Sequence, residues 1–148
     1  MSIYNNIVVA IDPFIDSDDI VTKANQLLNP NGKIEIIYVD EQVPIAYMGA
    51  PLAPPMVDYP VEEERKARIK ESLNKLAENH SIPYKNVHLI MGSPAKEIRC
   101  FAKKNEADCI VIGTHGRHGV ALLLGSTASS VIHGTPCDIL AVKIKEDE

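Results

Sequence analysis

The sequence predicts an α/β fold: a doubly wound, five-stranded parallel sheet with helices on both faces. Three observations lead there. Five short runs rich in Ile and Val, at 3–11, 33–39, 87–91, 107–112 and 138–144, alternate with four stretches whose apolar residues recur at helical spacing. The runs are nearly continuous rather than alternating, as expected of strands covered on both faces. The chain has 148 residues, enough for one domain with a full core, and no repeat or low-complexity block divides it.

Strand one, at 3–11, ends in Ile-Val-Val-Ala-Ile and is followed by Asp12. A residue at the carboxyl end of an inner strand lies where open α/β sheets bind ligands, so Asp12 can accept hydrogen bonds from a base or ribose. It can equally start a turn with Pro13 or cap the next segment of the chain. Asp16-Ser17-Asp18-Asp19 supplies caps and first-turn negative charge for a helix with the stripe Ile20, Val21, Ala24, Leu27, Leu28, which Asn29-Pro30-Asn31-Gly32 stops. Strand two runs to Val39 and ends at Asp40-Glu41.

Residues 42–60 carry five of the ten prolines, Pro44, Pro51, Pro54, Pro55 and Pro60, with Tyr47, Met48 and Met56. Proline removes donors and fixes φ, so this is a loop, serving as a lid, a partner surface or a partly disordered segment. Pro60 then opens a helix with acids in its first turn, a buried stripe of Ile69, Leu73, Leu76 and Ala77, and a solvated charged face over 62–70. It stops near 79–83. Strand three, at 87–91, has His88 in its middle, read as a satisfied core or surface residue because no partner shows ligand spacing. Gly92-Ser93-Pro94 opens the next helix, with Ser93 as cap, Pro94 at the first position, and Ala95, Ile98, Phe101 and Ala102 on one face. Gly92 either lets the backbone approach a ligand or makes a plain strand-to-helix turn.

After strand four comes Gly113-Thr114-His115-Gly116-Arg117-His118-Gly119, then Gly125-Ser126-Thr127 and a helical pattern of Ala128, Val131 and Ile132. Glycines permit positive φ and leave no Cβ between main-chain N–H groups and a ligand. The first turn of a helix adds unpaired donors and the positive dipole end. Strand, glycine-rich loop and helix start together make a phosphate site or a simple turn. The Walker pattern is absent, no Lys lies in 113–127, and the residues after strand one are Asp-Pro-Phe, not the glycines of a dinucleotide site. His115, Arg117 and His118 stand near Ser126 and Thr127 in sequence. His115 or Arg117 can neutralise phosphates or equally be a surface residue flanking a turn, and no base with an orienting partner is visible, so no catalytic residue is assigned. Gly134-Thr135-Pro136 ends the helix, and residues 138–144 form strand five before a charged tail at 145–148.

Composition narrows the classes. The net charge is −5, against the basic stripe of a nucleic-acid binder. No apolar run approaches the ~20 residues of a membrane span and the first residues lack a signal layout, so the expected location is the cytoplasm, with no membrane partner. Cys100, Cys109 and Cys137 lack metal-ligand spacing and read as reduced core residues; no metal site is predicted in the protein itself.

The run 110–142, with Gly113-x-x-Gly116, Gly125-Ser126-Thr127 and Thr135-Pro-Cys-Asp-Ile-Leu-Ala-Val142, resembles the signature of the universal stress protein family of the single-domain bacterial or archaeal type. The Gly92-x-Pro94 turn extends the resemblance over most of the chain. Nucleotide-binding members carry Gly-x2-Gly-x9-Gly-Ser/Thr; here eight residues separate Gly116 from Gly125. The resemblance implies a Rossmann-like sheet of the adenine nucleotide alpha hydrolase-like type, in the order 3-2-1-4-5. It implies an ATP site, with any Mg²⁺ arriving on the phosphates. Asp12 and the Val39 backbone would meet the adenine, Gly92 the sugar or phosphates, and Gly113, Thr114, His115, Gly116, Arg117, Gly125, Ser126 and Thr127 the phosphates. It also implies a homodimer through the edge strand 138–144. The readings carried forward are an ATP-binding regulatory protein without fast turnover, a ligand-free dimeric interaction module of the same fold, and a slow ATPase.

Overall fold

A computed structural model describes residues 3–41, 59–113 and 128–143 of the chain. Its sheet runs β3-β2-β1-β4-β5 with every neighbouring pair parallel. The strands are β1 (Tyr4–Ala10), β2 (Leu28–Asp40), β3 (Val87–Met91), β4 (Cys109–Gly113) and β5 (Asp138–Val142). Between them lie α1 (Asp18–Leu27), α2 (Tyr59–Asn79), α3 (Pro94–Lys104) and α4 (Ala128–Ile132). The doubly wound α/β class and the 3-2-1-4-5 order are those expected.

Each face of the sheet has its own core, because successive side chains of a strand point to opposite faces. Ile7, Val9, Ile36, Cys109 and Val111 pack with Ile20, Val21 and Ala24 of α1 and Ile69, Leu73 and Ala77 of α2. Val8, Ala10, Ile37, Val39, Ile110 and Ile112 pack with Ile98 and Ala102 of α3 and Val131 of α4. That two-sided burial is why the strands read as continuous apolar runs.

Several local expectations change. Leu28 belongs to β2 rather than α1, and the stop at 29–32 is a bulged lead-in to the strand: Tyr4 faces Leu28 but Asn6 faces Lys33. Gly32 is needed there, since a Cβ would sit 2.6 Å from Leu28 Cδ1 and 2.8 Å from the Asn5 carbonyl oxygen. Neither Ser17 nor Ser93 caps its helix with a side-chain hydrogen bond. Ser17 Oγ turns back to the Asp12 and Ile15 carbonyls at 3.4 Å, while the Asp16 carboxylate accepts from Asp18 N at 3.0 Å. Ile132 is 56% exposed rather than part of the buried stripe, whereas Val131 is fully buried. Cys100 is exposed, not a core residue; Cys109 is buried and its thiol is pushed up to about 11 by burial. Of the proline-rich loop expected at 42–60, residues 42–58 lie outside the described residues, while Tyr59 and Pro60 already belong to α2.

Candidate functional site

The switch point of the sheet lies between β1 and β4. The chain winds outward from β1 to β2 and β3 on one side and returns to the other side at β4: β2 pairs along one edge of β1 and β4 along the other, with Ala10 opposite both Ile37 and Ile112. Helix α1, which follows β1, packs on one face of the sheet, and Val131 of α4, which follows β4, packs on the other. This is the switch-point arrangement at which open α/β sheets hold a ligand crevice beyond the carboxyl ends of the strands. Asp12 follows β1 on one side of this crevice and Gly113 closes β4 on the other. The topology thus brings together two predicted site residues about a hundred positions apart in sequence.

Asp12 is half-buried and builds the turn after β1. Its Oδ1 accepts from Phe14 N at 2.9 Å and its carbonyl from Ile15 N at 3.3 Å. The Phe14 ring meets Tyr38 of β2 edge-on, centroids 6.5 Å apart. Val39 is 8% exposed, and its side chain packs on the α3 and α4 face. Gly92 has φ +144°, a conformation side chains rarely adopt, and a Cβ there would lie 2.9 Å from Glu97 Cγ. That φ and that contact already call for glycine at this strand-to-helix turn. Gly113 is buried at the end of β4. Thr114, His115, Gly116, Arg117, Gly125, Ser126 and Thr127 lie outside the described residues.

A charged group that no sequence motif marks stands at the end of β2. Asp40 is 2% exposed, and its carboxylate accepts from Arg65 Nη1 at 2.5 Å and Nη2 at 2.9 Å. Arg65 holds this carboxyl below the usual carboxylate range, with Tyr38 and Lys66 helping and burial opposing. The expectation that residues 62–70 form only a solvated face therefore fails at Arg65. A signal was present: stepping one turn back along the stripe Ala77, Leu73, Ile69 lands on Arg65, so the helix face that meets the sheet carries it. Glu35 was missed too. It is buried between Ile34 and Ile36, with His88 Nε2 at 2.6 Å and Lys33 Nζ at 3.3 Å. The half-buried His88 ring also lies 4.8 Å from Phe101 at a tilt of 54°, so its partners lie within the chain, as a satisfied residue would have them.

A cavity of about 140 Å³ opens beside Asp12, between the first turn and Ser72, Lys75 and Asn79 of α2. That is too small for a nucleotide, since small-molecule pockets run to several hundred Å³. Grooves of about 520 and 490 Å³ lie at the amino end of the sheet around Lys33 and Ser81, and along the outer edge of β3 beside Lys66 and Lys70. Neither is at the crevice. Among the described residues no cluster of His, Cys, Asp and Glu is arranged to hold a metal ion, and no helix is long and apolar enough to cross a membrane.

These features define a doubly wound α/β domain whose switch point lies between β1 and β4. The model of the Universal stress protein family matches residues 3–143. The Universal stress protein A homolog 2 of Coxiella burnetii is 36% identical over 149 residues, covering 98% of this chain and 99% of that protein. The chain belongs to the universal stress protein family. Among solved structures, the hypothetical protein MJ0577, described as a test case of structural genomics, superposes with a TM-score of 0.78 at 17% identity, covering 97% of this chain and 99% of the other. A universal stress protein crystallised in complex with cAMP superposes with a TM-score of 0.62 at 24% identity, covering 96% and 98%. These two likenesses are of fold.

Proposed function

We propose that the protein is a regulatory member of its family that binds an adenine nucleotide, ATP, in the crevice at the carboxyl ends of β1 and β4, with little turnover. The observation that carries this reading is the juxtaposition of Asp12 and Gly113 across the switch point, where open α/β sheets take their ligands. In this reading Asp12, Val39 and Gly92 form the base and sugar wall. Gly113, Thr114, His115, Gly116, Arg117, Gly125, Ser126 and Thr127 form the phosphate wall, and Mg²⁺ comes bound to the phosphates. The half-buried Asp12 carboxylate, an acceptor at the end of β1, suits a hydroxyl-bearing ligand. A family structure crystallised with cAMP supports an adenine nucleotide as the ligand class. The chain's own part in the chemistry is to bind and orient, because no described side chain pairs a nucleophile with a base in the crevice. The reading places the protein in the cytoplasm as a homodimer.

The test is thermal. With a dissociation constant near ~1 μM, ~1 mM ATP stabilises the fold by about 4 kcal/mol. At roughly 2 to 4 °C per kcal/mol the melting temperature rises by around 10 °C. Gly125→Val should keep its fold and lose this shift, since a β-branched side chain blocks main-chain approach to the phosphates. A shift that survives Gly125→Val would move the site elsewhere.

The second reading, a dimeric interaction module without nucleotide, is favoured by one feature, the eight-residue spacing from Gly116 to Gly125. A melt that ATP leaves unmoved, with no nucleotide released from protein purified without added ligand, decides for it. Phosphate release at millimolar ATP would point instead to the slow ATPase.

A further inference from the structure

We infer that Arg65 is a positioning residue of the nucleotide crevice, holding the end of β2 so that the crevice distinguishes adenine from guanine. The inference rests on the nucleotide reading above. Asp40 is the last residue of β2 and is held from two directions. Its carboxylate is gripped by both terminal nitrogens of Arg65, at 2.5 and 2.9 Å, and its main-chain carbonyl accepts from Gly92 N at 3.2 Å. Helix α2 and the turn after β3 are thereby tied to one residue. On the other side, Ile11 N donates to the Ile37 carbonyl at 3.0 Å and Phe14 meets Tyr38, which tie the same strand end to the turn after β1. The three strand ends form a row with Asp40 inside it, one residue past Val39.

Stability alone gives a weak reason for this pair. Desolvating a carboxylate and a guanidinium offsets most of their attraction, and the better-attested use of such pairs is to select one arrangement. Here the arrangement selected is the direction of the Val39 to Asp40 main chain. Adenine presents a donor at its 6-amino group and an acceptor at N1; guanine presents an acceptor at its 6-oxygen and a donor at N1. A main-chain edge that suits one opposes the other, provided it cannot turn. A hydrogen-bonding site rejects the mismatched partner by leaving polar groups unpaired. The side chain needed is an arginine: lysine keeps the charge but cannot hold both carboxylate oxygens in one plane. With Glu62 Oε1 3.8 Å from Arg65 Nη1 and Lys66 nearby, Arg65→Lys leaves the charge of this cluster as it is and removes only the paired geometry.

The experiment measures ATP and GTP affinities by calorimetry on the full chain for the wild type, Arg65→Lys, Asp40→Asn and the neighbouring control Lys66→Met, below the lowest melting temperature. Arg65→Lys and Asp40→Asn should each weaken ATP about tenfold, the equivalent of about 1.4 kcal/mol, with GTP changed by less than about twofold. The ATP-to-GTP ratio then falls, while Lys66→Met leaves it unchanged. A purely stabilising role for the pair would weaken both nucleotides together, and a purely electrostatic one would leave Arg65→Lys silent. Either result overturns the inference while wild-type ATP binding stands. A wild type that binds no ATP overturns the nucleotide reading, and the inference with it.

Discussion

Asp40 shows how one residue couples site and stability. Its folded carboxyl titrates below the ordinary range, chiefly because Arg65 donates to it, so the group adds stability above its unfolded value near about 3.9 and loses it as pH falls through the lower folded value. Asp40→Asn should therefore cost about 2 kcal/mol at pH 7, less than the 3–5 kcal/mol of a fully buried pair because the Arg65 side chain is 35% exposed. The gap between wild type and variant in urea unfolding should be narrower at pH 3 than at pH 7. An equal gap at both would mean the ion pair is not its source. At this scale the sequence was only partly legible. Asp12 and Gly113 could be placed because strand ends can be counted, whereas Arg65 sits amid Glu62, Glu63, Glu64, Lys66 and Arg68, whose charges mask its place on the buried stripe. Glu35 and His88 look unrelated in sequence and become a pair only once β2 and β3 are in register, with Ile37 opposite His88.

The elements themselves were readable to within a few residues, and the errors cluster at their ends. Helix starts misled because serine was credited with a bond it does not make: at α3 the Ser93 carbonyl receives Glu97 N at 2.9 Å while its hydroxyl makes no cap. Helix stops are harder still. Both α2 and α3 end with a non-glycine residue in the left-handed region, Ser81 at φ 56° and Glu106 at φ 54°, each followed by a wide closing bond, Ile82 N to the Ala77 carbonyl at 2.8 Å and Ala107 N to the Ala102 carbonyl at 2.9 Å. That geometry usually announces itself by a glycine, and neither helix has one there. The left-handed conformation costs an L-residue roughly 1 kcal/mol, which glycine largely avoids. Glu106 is exposed. Glu106→Gly should therefore raise stability by about 0.5 to 1 kcal/mol despite the greater entropy of unfolded glycine. Loss of stability in that variant would show that the Glu106 side chain makes a contribution larger than its strain.

Over the whole molecule, the alternation of buried strands and amphipathic helices was enough to reach the class, since each strand buries both faces and each helix one. The strand order needed the resemblance, because periodicity says nothing about which strands are neighbours. The order leaves β5 at an edge, and an unprotected apolar edge strand invites pairing. The fold refines which residues could take part. Val142 is 2% exposed and packs into the α1 and α2 face of its own core, while Ile139 and Leu140 are half-buried against the two faces. A charge at Val142 would therefore unfold the chain rather than test an interface. Ala141 is exposed, as are Asp138 and Lys143 at the strand's ends. The expected cover is β5 of a second copy, antiparallel about a two-fold axis, because such a contact is self-complementary and closes. Ala141→Arg places bulk and like charge on both sides of that axis without touching the buried positions. Light scattering at micromolar concentration should give a dimeric mass for the wild type and a monomeric mass for Ala141→Arg, with unchanged circular dichroism. A monomeric wild type would sink the dimer, and a variant that stays dimeric would place the contact away from β5.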